Sequence, residues 1–267
     1  MTRWMARIAA LLLCTAWLGC VGAIDSPAEQ ASLLAPELAK AAAPSDRKRL
    51  FYIGLALYSE SWSQNDVVEL ATELPRSADF EVVPLIASNF IASPRRSYPI
   101  ADDATVAALV KAAAEHAKAE DVVLVHISTH GARGVLARKI GNLPPTEITA
   151  SALARQLAPL EERRTVIILS ACFSGSLIGK LHSPYRIIIT AARSDRSSFG
   201  CAAGNRHTFF GEAELSAFAE PDRSLRQVFS AIRDGVARME QEQQVRPSEP
   251  QVSVGADVTE LYEAKLF

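Results

Sequence analysis

The chain has 267 residues, enough for one α/β domain with a fully buried core. Its 28 Lys and Arg against 30 Asp and Glu leave a net charge of −2, with no basic run and no aromatic-basic interleaving, which argues against a nucleic-acid partner. Composition excludes collagen-like, coiled-coil and repeat architectures.

The first segment, MTRWMARIAALLLCTAWLGCVGAID, has Arg3 and Arg7 and then an apolar run from Ile8 to Leu18 that is short for a bilayer span. Residues 1–23 therefore read as an export signal. Two processing sites compete, with an uncleaved anchor as a third outcome. Leu18-Gly19-Cys20 resembles a bacterial lipobox, with cleavage before Cys20 and a lipid on its sulfur. Val21-Gly22-Ala23 suits ordinary signal peptidase. Each places the domain in the periplasm or cell envelope, and the lipidated form is attached to the membrane through its N-terminus. Residues 24–49 are rich in Ala and Pro and read as a tether or loosely docked helix, broken early by Pro36. The folded domain is expected over 50–267.

That domain alternates regularly. LFYIGLALY, Leu50 to Tyr58, is an apolar run of strand length, as in a strand covered on both faces. Asn65 to Leu74 has helical spacing, and Phe80 to Ile86 reads as a strand that Pro84 places near an edge or end. Thr105 to Ala119 is helical behind an Asp102 or Asp103 cap. DVVLVHISTHG is a buried strand stopped by Gly131, Ser151 to Leu160 a helix, and Thr165 to Ala171 and Tyr185 to Ala192 two further strands. Leu225 to Gln243 is the last long helix, and Gln251 to Val254 closes the sheet. Such repetition builds an α/β fold, a mostly parallel central sheet with helices on both faces, and ligands collect at the carboxyl ends of its strands.

Two of those ends carry chemistry. VVLVHISTH stops at His130-Gly131, and VIILSA stops at Cys172. A strand end gives a nucleophile both rigid support and access. An imidazole or a following helix start favours the thiolate, and Phe173-Ser174-Gly175-Ser176 suits such a start. The N–H groups of Gly131 and Cys172 are candidates for an oxyanion hole, and acyl transfer is the reaction that uses all these parts. Against this stand plainer readings: Cys172 as a packing residue, or as one half of a disulfide with Cys201 in an oxidising compartment. His126, in mid-strand, reads as a core histidine and His116 as a solvated one.

The HisGly pair in ISTHGARGVL and the AlaCys pair in ILSACFSGSLI resemble the C13, legumain-like cysteine peptidases, particularly their bacterial branch. ITAARSDRSSFGC and HTFFGEAE are similar to that family's substrate-pocket segments. The resemblance implies a caspase-like αβα sandwich. In it Cys172 attacks the scissile carbonyl, His130 serves as acid and base, and Gly131 and Cys172 bind the oxyanion, with no metal or organic cofactor. It also implies substrate contacts from Ser197, Ser198 and Glu212. The family's pocket arginine has no counterpart in YSESWSQND, and Ser170 stands where the family has an acid. An acid without its cationic partner suits a Lys or Arg side chain at P1 as well as it suits asparagine.

The expected function is a cysteine endopeptidase working through a thioester acyl-enzyme on a peptide or protein substrate. Two alternatives remain open: a transpeptidase using the same intermediate, and a catalytically silent peptide-binding lipoprotein. Self-cleavage is expected, if anywhere, in the Arg-containing loops at Arg133 to Thr149 or Arg193 to Arg206. The residues give no oligomeric state.

Overall fold

The computed structural model describes residues 26–74, 80–90, 96–202 and 204–265. The expected signal segment and Cys20 lie outside the described residues. Among those described, no helix is long and apolar enough to cross a membrane.

In chain order the elements are α1 (Pro27–Ala42), β1 (Lys48–Ala56), α2 (Ser61–Glu73), β2 (Phe80–Ser88), α3 (Asp103–His116), β3 (Val122–Ser128), β4 (Gly131–Ala132), β5 (Val135–Arg138), β6 (Thr146–Thr149), α4 (Ala150–Gln156), β7 (Thr165–Ser170), α5 (Ile178–Leu181), β8 (Arg186–Thr190), α6 (Phe209–Ala219), α7 (Leu225–Glu242), β9 (Gln251–Val254) and α8 (Thr259–Glu263). Six strands form the central sheet in the order β2-β1-β3-β7-β8-β9. Every neighbouring pair is parallel except β8 with β9. Pro84 sits in β2, an edge strand, where a missing backbone N–H is tolerated.

The strands sort their side chains with a period of two. Phe51, Ile53 and Leu55 of β1, Val123, Val125 and Ile127 of β3, and Ile167 and Leu169 of β7 enter one core with residues of α1, α3, α4 and α5. Leu50 and Tyr52, Val122 and Leu124, and Val166 and Ile168 enter the other, with α2, α6, α7 and α8. Because both faces are covered, the inner strands read as unbroken apolar runs. The result is the αβα sandwich that the resemblance implies.

Three segments differ from the sequence reading. Within 24–49 lies a 16-residue helix, as one of the two readings had it, but firmly rather than loosely docked. Ser26 and Glu29 form a capping box at its start. The buried Glu37 accepts the N–H of Ile86 at 2.9 Å, which fixes α1 to β2 despite Pro36. The loop expected at Arg133 to Thr149 contains most of a second, three-stranded antiparallel sheet, β4-β5-β6. Its strands are too short for an alternation to register. Finally, α6 begins at Phe209, inside HTFFGEAE, a helix for which the sequence reading gave no bounds.

Candidate active site

β3 and β7 run parallel with Ser128 opposite Ser170. The Thr129 N–H extends the ladder to the Ser170 carbonyl at 3.0 Å. Beyond it both strands end, with His130 and Cys172 each two residues past the last paired position. Gly131 lets the two strand ends come close: a Cβ there would overlap the Cys172 carbonyl oxygen and touch the Ala171 methyl. The Ala137 N–H donates to the His130 carbonyl at 2.8 Å, and Gly131 pairs with Leu136. Antiparallel alternation then turns the Gly131 N–H away from β5.

Cys172 is a free, partly exposed thiol in a turn whose next residue, Phe173, has a left-handed φ of 56°. Such a conformation costs on the order of 1–3 kcal/mol in a bulky residue and persists only where the surroundings impose it. Here they do. The Phe173 N–H donates to the Arg196 carbonyl at 2.8 Å, that of Gly175 to Ala192 at 2.9 Å, and that of Ala192 to the Ser174 hydroxyl at 3.2 Å. Arg193 and Arg196 anchor the facing loop through Glu249. That loop brings the Ser198 N–H to 3.3 Å from the Cys172 sulfur, with the Ser198 hydroxyl at 3.5 Å. The S–H of Cys172 in turn donates to the Ser198 carbonyl at 3.4 Å. Among the described residues, the Cys172 N–H has no hydrogen-bonding partner.

His130 is held between two rings, Tyr58 at 4.4 Å and Trp62 at 5.2 Å between centroids, both edge to face. Burial pushes its pKa below the usual value, Glu60 opposes the shift and Lys139 adds to it. A neutral imidazole after one inner strand and a thiol after the next are the groups that attack on a carbonyl carbon and proton transfer to a leaving group require.

The remaining expected site residues divide. Ser170 is buried, and its hydroxyl lies 3.4 Å from that of Thr208. Ser198 touches the sulfur, whereas Ser197 is exposed on the same loop. Glu212 is exposed on the first turn of α6, in a surface hollow with Glu69, Arg206 and His207. Cys201 is also free and partly exposed, so no disulfide joins it to Cys172. Burial, together with the negative potential of Cys172, raises its pKa.

The sequence reading passed over a second carboxylate. Asp66 on α2 is fully buried, and it accepts hydrogen bonds from Thr208 at 3.0 Å and Ser128 at 3.3 Å while pairing with His207 at 2.9 Å. Gly211 lets α6 begin against it, since a Cβ there would collide with the carboxylate. Burial raises the Asp66 pKa, and the hydrogen bond to Asp66 raises that of His207. Its signal was present: Trp62, Asp66 and Leu70 recur at helical spacing, which puts an acid on an otherwise apolar stripe. Deeper still, Glu214 lies 3.4 Å from His126, both wholly buried, and Tyr52 bonds the other ring nitrogen of His126 at 2.8 Å. Burial holds Glu214 protonated far above the usual range and pulls His126 down to about 3. Among the described residues, no group of three or more His, Cys, Asp or Glu side chains is arranged to hold a metal ion.

Comparison with known proteins gives the family. A family model described as the peptidase C13 family matches residues 102–260, which include both strand ends, the Ser198 loop and α6. No curated protein sequence matches. Among solved structures the chain is similar to caspase-1 from Spodoptera frugiperda, with 15% identity, a TM-score of 0.49, and coverage of 78% of this chain and 85% of that one. With the match spanning His130, Cys172 and the segments that support them, the chain belongs to the peptidase C13 family of cysteine peptidases.

Proposed function

We propose that this cysteine peptidase is an endopeptidase in which Cys172 attacks the scissile carbonyl and forms a thioester acyl-enzyme. His130 takes the thiol proton and delivers it to the departing amine, then activates the water that releases the acid. The amides of Gly131 and Cys172 bind the oxyanion of each tetrahedral intermediate. The observation that supports this reading is the parallel pairing of β3 with β7 up to Ser128 and Ser170, each two residues before His130 and Cys172.

In this reading the P1 side chain meets Ser170 and the Ser197–Ser198 wall. Thr208 and Asp66 stand behind Ser170, hydroxyls backed by a carboxylate. Such a floor accepts a donor, which asparagine supplies as an amide and Lys or Arg as a cation. Glu212 stands exposed on the first turn of α6. On the pattern of its N-terminal segment the enzyme acts in the cell envelope.

The test is a positional-scanning peptide library cleaved by the wild-type chain and by Cys172→Ala under reducing conditions. The reading expects cleavage after asparagine or a basic residue, absent in Cys172→Ala. Cleavage that survives the substitution, or none by the wild type, contradicts it.

A further inference from the structure

His130 lacks a feature common to catalytic imidazoles. Among the described residues, no side chain or carbonyl lies within hydrogen-bonding distance of either ring nitrogen to fix its tautomer and orientation. Two aromatic rings occupy that role instead. Tyr58 meets the imidazole at 4.4 Å with an interplanar angle of 89°, and Trp62 at 5.2 Å with an angle of 73°. Edge-to-face packing of this kind restrains a ring in two directions at once.

The rings are themselves fixed to the strand that carries His130. The N–H of Leu57, next to Tyr58, donates to the Ser128 carbonyl at 3.1 Å, and the hydroxyl of Ser63, next to Trp62, donates to the same carbonyl at 2.6 Å. One acceptor two residues before His130 thus sets both neighbours. Trp62 is only 1% exposed, so it has little room to move. The charged groups near the clamp are Glu60, between the two aromatics in sequence, and Lys139, whose ammonium lies over the Tyr58 ring at 5.5 Å and whose N–H is bonded to the Leu57 carbonyl.

We propose that Tyr58 and Trp62 are positioning residues that hold His130 in its proton-transferring orientation beside Cys172 by ring packing, in the place of a hydrogen-bonded third member. The proposal rests on the reading of His130 as the proton carrier. It also accounts for the partly desolvated imidazole, because the rings that aim it exclude water from it.

The experiment has two arms. In the first, kinetics of the wild-type chain are compared with Tyr58→Ala, Tyr58→Leu and Tyr58→Phe, with thermal unfolding as a check on folding. A misaimed base costs kcat between about 10- and 100-fold while KM stays close to wild type, and Tyr58→Phe, which keeps the ring, recovers most of the loss. Tyr58→Leu keeps the bulk without the aromatic face and falls with Tyr58→Ala, so the proposal remains testable should the alanine variant fail to fold. In the second arm, the His130 ring is titrated by NMR in Cys172→Ala chains with and without Tyr58→Leu, its signals assigned by their loss in His130→Gln. Removing the aromatic face should bring the titration up towards the ordinary histidine value.

Wild-type kcat in Tyr58→Leu, equal losses in Tyr58→Phe and Tyr58→Leu, or an unmoved His130 titration would overturn the proposal. If the wild-type chain cleaves no peptide, the peptidase reading fails, and the titration arm alone decides whether the rings set the state of His130.

Discussion

The backbone amide of Ser198 points at the sulfur of Cys172 from 3.3 Å. The loop that carries it is tied to the nucleophile's own turn by the Phe173–Arg196 hydrogen bond, and to the chain before β9 by Arg193 and Arg196 on Glu249. The nucleophile is therefore supported from two directions, by its strand and by a loop from the neighbouring strand.

The first prediction isolates that donor. Ser198→Ala keeps the N–H and should leave alkylation of Cys172 by iodoacetamide close to the wild-type rate. Ser198→Pro removes the N–H, and a hydrogen bond to a charged group is worth about 1.5–3 kcal/mol, so alkylation at neutral pH should slow by about 10-fold or more. Equal rates in the two variants would show that the amide does not act on the sulfur.

A methyl group at Gly131 has nowhere to go, because the Cys172 carbonyl oxygen occupies its position. Gly131→Ala should push the ends of β3 and β7 apart. The expected stability loss is about 1–3 kcal/mol, and kcat/KM should fall by about 100-fold. Urea unfolding and peptide hydrolysis on the same sample check both, and an active Gly131→Ala would mean that the strand ends need not meet this closely.

His126 and His207 act on stability with opposite signs. Burial lowers His126 from 6.5 to about 3, so its contribution is intact above pH 6.5 and is lost as pH falls from there towards 3. One pKa unit corresponds to 1.36 kcal/mol, which sets the loss on the order of 5 kcal/mol. His126→Gln should flatten the acid limb of stability against pH in urea unfolding. An unchanged limb would place the acid sensitivity elsewhere.

His207 runs the other way. The hydrogen bond to Asp66 raises its pKa, so its contribution is complete below pH 6.5 and is lost as pH rises through the higher folded value. Asp66, raised by burial, adds a decline of its own that begins at the ordinary carboxylate value of 3.8. His207→Gln should therefore weaken the fall in urea midpoint between neutral and alkaline pH. Asp66→Ala, which breaks a buried pair, should cost about 3–5 kcal/mol. A wild-type midpoint that does not depend on pH above neutrality would contradict the pairing.

Much of this arrangement was legible in the sequence, for a physical reason. β1, β3 and β7 are covered on both faces, so each is a continuous apolar run, and the polar residues that end β3 and β7 stand out against it. His130, Cys172 and Gly131 were read from that contrast. α6 was not, because FFGEAELSAFA is buried against α2 and α7 on so many sides that little polar face remains to mark a helix. β4, β5 and β6 are too short to show a period. Glu212 and Asp66 show a third limit. The resemblance pointed to the acid on α6, and the fold turned that residue outward while burying Asp66 behind Ser170 through Thr208, a relation that exists only once α2 and α6 pack together.

The central claim is that Cys172 becomes acylated by substrate with the help of His130. Its most direct test is intact-mass spectrometry of acid-quenched enzyme during turnover of a peptide ester, with the adduct mapped by digestion. The account predicts an acyl group on Cys172 in the wild type, slow to form in His130→Gln and absent in Cys172→Ala. Peptide turnover with no adduct on Cys172, or turnover that persists in Cys172→Ala, would contradict it.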